Sequence, residues 1–156
     1  MMVRSRKRLT LCLALLGLML AVIWGNSLLH GALSEKVSGL IGWLIGAFVP
    51  GAKVGAGEGG HGLLRKAAHL TEFCLLGLLL SWLVRMLLKK NWQHLWLPLL
   101  GGAAVAMTDE TIQYFVPGRA CRLSDVGIDT LGCTLGVLLI TLIVCIKNQK
   151  MKEKKQ

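Results

Sequence analysis

Four stretches of this 156-residue chain are apolar enough, over enough residues, to read as helices that cross a bilayer. Residues 9–29 form one long apolar run and residues 126–146 another, each near the roughly 20 residues a spanning helix needs. Between them lie residues 67–88, interrupted by His69, Glu72 and Arg85, and residues 92–116, interrupted by Asp109 and Glu110. Both read as spans with polar ends. A shorter segment, 34–49, sets Val37, Leu40, Ile41, Leu44 and Phe48 at helical spacing opposite the small residues Ser38, Gly39, Gly42 and Gly46, until Pro50 and Gly51 end the pattern. It is too short to span, so an outer interfacial or re-entrant helix is expected there. Residues 51–62, half of them glycine, read as a flexible link. No Lys-Ser/Thr pair follows them, which argues against a phosphate-cradling loop.

Charge sets the orientation. Arg4, Arg6, Lys7 and Arg8 precede the first span, Arg85, Lys89 and Lys90 join the second to the third, and Lys147, Lys150, Lys152, Lys154 and Lys155 follow the fourth. These segments share one side of the membrane. The other side has only Lys36, Lys53, Arg65, Lys66, Arg119 and Arg122, so the positive-inside rule puts both termini in the cytoplasm. Trp82, Trp92 and Trp96 then fall at the inner interface, and Trp24 and Tyr114 at the outer one. A cleavable signal peptide shares the basic-then-apolar order of residues 1–29, but the run is long for one and no A-x-A-type site follows near 30–34. A retained span is expected.

Composition agrees with this picture. With 54% hydrophobic and 17% charged residues the chain departs from an ordinary soluble domain. Its net charge of +10 sorts by side, so it reads as topology and no nucleic-acid partner is expected.

The acids break the pattern. Seven of eight lie on the outer side, and Glu72, Asp109, Glu110, Asp125 and Asp129 sit in or against apolar spans. An ionisable group at membrane depth costs about 2.5–3.5 kcal/mol even on the mildest scale, so such groups must be paired or used. Arg65, His69 and Glu72 form one stripe at i, i+4, i+7, with Lys66 beside it. Asp109 and Gln113 are four apart, and Glu110 and Gln113 three apart. A turn at Val116, Pro117 and Gly118 leads to Arg119 and Arg122. Ser124 and Asp125 are candidate N-cap residues of the last span, with Asp129 one turn inside, where a carboxylate suits the positive helix end. Three helices thus present polar stripes at one depth.

The segments RKAAHLTEF (65–73), TDETIQYFVPGR (108–119) and LSDVGIDTLG (123–132) carry the patterns R-K-x-x-H-x-x-E-[FY], D-E-x-x-Q-x-F-x-P-G-R and D-x-x-x-[DN]-x-x-G in order. In this the chain resembles the VanZ-like family of bacterial integral membrane proteins. The resemblance covers a motif-bearing core of residues 63–136, with Asp129 where Asn is common. It implies one membrane domain over 1–156 in the bacterial cell membrane: a basic N-terminus at 1–8, an outer loop at 30–62 and a basic tail at 147–156. The expected fold is all-α, a bundle of four transmembrane helices plus the outer helix. The family's namesake is linked to low-level resistance to teicoplanin, an acyl-bearing glycopeptide. By resemblance Arg65, Lys66, His69, Glu72, Asp109, Glu110, Gln113, Arg119, Asp125 and Asp129 are the candidate ligand-binding residues.

Four readings of these residues remain open. A purely structural one pairs Arg65 or Lys66 with Glu72, Arg119 with Asp109 or Glu110, and Arg122 with Asp125, stapling the outer helix ends. A binding site would use Arg65, Lys66, Arg119 and Arg122 for the anionic head group of a lipid-linked or acylated envelope component. An enzyme would take its acid and base from His69, Glu72, Asp109 and Glu110, yet there is no G-x-S-x-G elbow and Ser124 lacks a nucleophile context, so binding is favoured over catalysis. For a metal, His69, Glu72, Asp109, Glu110 and Asp125 offer donors, but H-x-x-E alone is neither H-E-x-x-H nor the paired E-x-x-H, so no metal and no cofactor are expected. Cys12, Cys74, Cys133 and Cys145 read as small core residues, and Cys121 as an exposed thiol without a disulfide. Gly17, Gly25, Gly132 and Gly136 read as helix-packing positions; the last two form a G-x-x-x-G pair that leaves intramolecular packing and dimerisation open.

Overall fold

The computed structural model describes residues 2–28, 36, 40, 58–88, 94–119 and 121–153, with side chains from Arg6 and, in the second helix, from Leu64. The expected outer helix at 34–49 and most of the glycine-rich link lie outside these. The described residues form four helices and no strand: α1 (Met2–Leu28), α2 (Glu58–Leu87), α3 (Trp96–Phe115) and α4 (Leu123–Glu153). Three of them, over Arg6–Leu28, Leu64–Leu87 and Leu123–Glu153, are long and apolar enough to cross a membrane. The fourth, α3, has 20 residues and carries Asp109, Glu110 and Gln113 toward its C-terminal end, and it has no stretch of that length and apolarity.

Boundaries differ from the sequence reading where chemistry permits. Helix α2 starts at Glu58, inside the segment read as a link. An acid at the positive helix end favours this start against the roughly 1 kcal/mol that each of Gly59, Gly60 and Gly62 costs. Helix α3 starts at Trp96, with Pro98 tolerated in its first turn, where no intrahelical donor is needed. It ends as expected. Val116 turns extended before Pro117, Gly118 takes φ 77°, and Arg119 N–H donates to the Val116 carbonyl at 3.2 Å, closing a turn of the Pro-Gly type. Helix α4 begins at Leu123, so Ser124 and Asp125 lie within its first turn rather than capping it. Asp125 still meets the positive end of the helix.

Contacts fix the directions of the helices. Cys12 of α1 reaches the Leu79 carbonyl and Asn26 reaches Glu72, so α1 and α2 are antiparallel. Cys133 of α4 lies against Pro98 of α3, and Asp129 lies with Asp109 beside His69, so these two are also antiparallel. Helices α2 and α4 run parallel and form the most extensive pairing. Their closeness depends on missing side chains. A methyl group at Gly77 would overlap the Cys133 carbonyl, one at Gly136 the Cys74 carbonyl, and one at Gly132 would stand 2.5 Å from the Leu70 carbonyl oxygen. The G-x-x-x-G pair is therefore an intramolecular contact. At Gly17 and Gly25 a side chain would meet nothing within 4 Å, so the packing role expected for them is not seen among the described residues.

The burial pattern is inverted relative to a water-soluble protein. Leu18, Leu100, Leu131, Leu138 and Leu142 are exposed, as are Tyr114 and Phe115, whereas Ser27, Asp109, Glu110, Gln113 and Asp129 are buried. Water would favour the reverse; lipid favours this. The apolar core lies deeper, around Cys12, Leu16, Ile23, Phe73, Leu76 and Ala106. Arg85 donates to Thr141 Oγ1 at 3.0 Å near the other end of the α2–α4 pair. Gly136→Ala, which forces a methyl into the α2 backbone, is expected to lower stability in detergent by about 1–3 kcal/mol in a thermal or SDS titration. Gly17→Ala leaves the transition unchanged.

Candidate functional site

All four helices contribute polar groups at one end of the bundle. Asp109, on the inward face of α3, is fully buried, and both of its oxygens are held. Oδ1 accepts from Ser27 Oγ of α1 at 2.5 Å, and Oδ2 accepts from Gln113 Nε2, one turn on, at 2.8 Å. The same Gln113 nitrogen lies 3.2 Å from Ser27 Oγ, closing a three-residue network. Opposite stands His69 of α2, its side chain 12% exposed, with Nδ1 3.8 Å from Asp109 Oδ2 and 3.5 Å from Asp129 Oδ1 of α4. Those separations exceed hydrogen-bond length. Accordingly His69 Nδ1 and both oxygens of Asp129 are buried without a hydrogen-bond partner among the described residues.

Above this centre lies a narrow cavity lined by Arg65, Lys66, His69, Gln113, Asp125, Ile128 and Asp129. Its volume, for the centre of a water-sized sphere, is about 10 Å³. That holds a single small species. Arg65 and Asp125 stand 3.9 Å apart on its wall, both partly accessible, a spacing worth little as an isolated ion pair.

Six of the ten candidate residues therefore line the cavity (Arg65, Lys66, His69, Gln113, Asp125 and Asp129), with Asp109 at its floor. The other three stand to the side. Glu72 accepts from Asn26 Nδ2 at 2.6 Å, Arg119 donates to the Asn26 carbonyl at 2.7 Å, and Glu110 accepts from the backbone N–H of Arg122 at 2.9 Å. The structural pairings read from sequence are partly replaced: Arg65 faces Asp125, and Glu72 takes its hydrogen bond from Asn26. All five cysteines are free, and Cys121 is exposed.

Asn26 and Ser27 are the residues that sequence reasoning missed. Their signal was available: the apolar run of α1 turns polar at its C-terminal end, beside the polar ends of the other three helices.

A family model described as VanZ/LLP1 matches residues 9–144. No curated protein and no solved structure matches the chain.

Ser27→Ala removes the donor to a buried carboxylate. It is expected to cost about 1–3 kcal/mol in thermal unfolding in detergent. Thr10→Ala, at an exposed hydroxyl bonded within its own helix, should stay within about 0.5 kcal/mol.

Proposed function

Because the chain belongs to the VanZ/LLP1 family, we propose that it is a four-span protein of the bacterial cell membrane whose outward-facing polar site binds or shields an anionic, envelope-associated amphiphile. The observation behind this is the cavity at the ends of α2, α3 and α4, with Arg65 and Lys66 on its wall and exposed leucines along the helices below it. Two cations at the mouth suit a phosphate or carboxylate head group. The lipid-facing helix surfaces suit its acyl chain. Since the cavity accepts only one water-sized species, the head group docks at the mouth and the floor stays with Asp109, His69 and Asp129. In this reading α3 is the fourth span, its buried Asp109 satisfied by Ser27 of α1 and by its own Gln113, and both termini are cytoplasmic.

An enzyme acting on a lipid-linked phosphate is the second reading, favoured by one feature. His69 Nδ1 and the Asp129 carboxylate are buried without hydrogen bonds among the described residues, as groups held ready for a substrate would be.

Two experiments test the proposal. Teicoplanin and vancomycin susceptibility is compared in a sensitive Gram-positive host expressing the wild type or Arg65→Ala/Lys66→Ala at matched membrane abundance. Protection against teicoplanin, the acyl-bearing drug, that is lost in the variant is the expected result. A wild type that shields against neither drug removes this family of ligands from the proposal. Orientation is read at Cys121, which should react with a membrane-impermeant maleimide added to intact cells. Desolvation first, then the hydrogen bond and charge of Glu110, raise the pKa of this thiol. Because the thiolate is the nucleophile, labelling should speed up as the medium is made mildly alkaline. Labelling seen only after lysis would invert the topology.

A further inference from the structure

Three donors from three helices converge at the cavity floor. His69 Nδ1, a carboxylate oxygen of Asp109 and one of Asp129 lie within 4.8 Å of one another. Their separations discriminate between two ways of holding such a group together. A protonated imidazole shared between two carboxylates would draw nitrogen and oxygen to about 2.7–2.9 Å. The observed 3.5 and 3.8 Å are too long for that. Metal–ligand bonds of about 2.0–2.2 Å in a tetrahedral arrangement instead put neighbouring donors about 3.3–3.5 Å apart. The two separations from His69 are thus within a few tenths of an ångström of ligand spacing, and all three donors stay within 4.8 Å of one another, close enough for one cation to draw them in.

Independent support comes from Asp129. Its carboxylate is fully buried, points at His69, and has neither oxygen hydrogen-bonded among the described residues. A buried carboxylate without a hydrogen-bond donor costs several kcal/mol, and the imidazole at 3.5 Å balances it only when protonated, so a cation beside it would stabilise it. Asp109 differs. Ser27 and Gln113 already orient it, as second-shell groups orient metal-bound carboxylates.

We propose that His69, Asp109 and Asp129 bind a divalent transition-metal cation, with Zn2+ as the best-fitting ion. One nitrogen and two carboxylate donors suit Zn2+ better than Mg2+ or Ca2+, which prefer all-oxygen shells. Two carboxylates and a neutral imidazole balance a doubly charged ion, leaving no net charge at membrane depth. The cavity supplies the fourth position, with room for one water or one oxygen of an anion, and Arg65 and Lys66 stand on its wall. The H-x-x-E spacing alone matched no metal motif, and its acid, Glu72, takes its hydrogen bond from Asn26; the other two proposed ligands come from other helices. This inference goes beyond the amphiphile reading and stands without it.

The test uses the full chain in detergent, without a polyhistidine tag, stripped with chelator and titrated with Zn2+ by calorimetry and with Co2+ by visible absorption. One ion per chain is expected, with the intense Co2+ bands of a four-coordinate site and a rise in melting temperature on adding Zn2+. Asp129→Asn and His69→Gln should each weaken binding by about 100-fold or more, and Ser27→Ala, which acts through Asp109, by about 10-fold. Glu153→Gln, at the far end of α4, should bind as wild type. If the ligand variants fail to fold, Ser27→Ala and the wild-type Co2+ spectrum decide. Overturning results are a wild type with no stoichiometric Zn2+ or Co2+, or binding indifferent to these substitutions. Head-group binding has a separate readout, so either reading can fail alone.

Discussion

The buried carboxylate of Asp109 is the constraint around which the polar end of this bundle is arranged. A charge-bearing group buried among packed helices can be tolerated only if neighbouring groups supply donors. Ser27 of α1 and Gln113 of α3 itself supply two, and His69 of α2 stands close by. One side chain thereby ties three helices together. Asp129 brings in the fourth, across His69. The hydrophobic effect gives little reason for helices to associate in lipid, so polar ties at one end and close backbone contact elsewhere must do it.

That close contact is concentrated between α2 and α4. Gly77, Gly132 and Gly136 let the two parallel helices approach until backbone touches backbone. Ordinary side chains there would push the helices apart and, with them, His69 from Asp129. The glycines therefore act on the site at a distance: they set the α2–α4 separation, and that separation sets the 3.5 Å between His69 Nδ1 and Asp129 Oδ1. Cys133 extends the same seam to α3, filling the space that Gly102 leaves beside its thiol.

Much of this was legible in the sequence because it is local. Spacing alone put Arg65, His69 and Glu72 on one stripe of α2, Asp109 and Gln113 on one stripe of α3, and Pro117-Gly118 in a turn. Partnership was less legible, since it depends on how helices rotate against each other. Glu72 was grouped with His69 by its spacing, yet its hydrogen bond is with Asn26, and Arg65 faces Asp125. Ser27 was passed over for a related reason: a lone hydroxyl in an apolar run has no pattern of its own, and only the approach of Asp109 gives it a role.

The contrast between the two acids facing His69 sharpens what the site is for. Had this end of the bundle evolved only to staple helices, Asp129 would be expected to hold a donor as Asp109 does, because an unbonded buried carboxylate weakens the staple it belongs to. Instead one carboxylate holds two hydrogen bonds and the other none among the described residues, although both face the same imidazole. Asn at position 129 would retain the shape and shed the charge at no cost to packing. An acid here, without a donor among the described residues, is the arrangement that the proposed cation would complete.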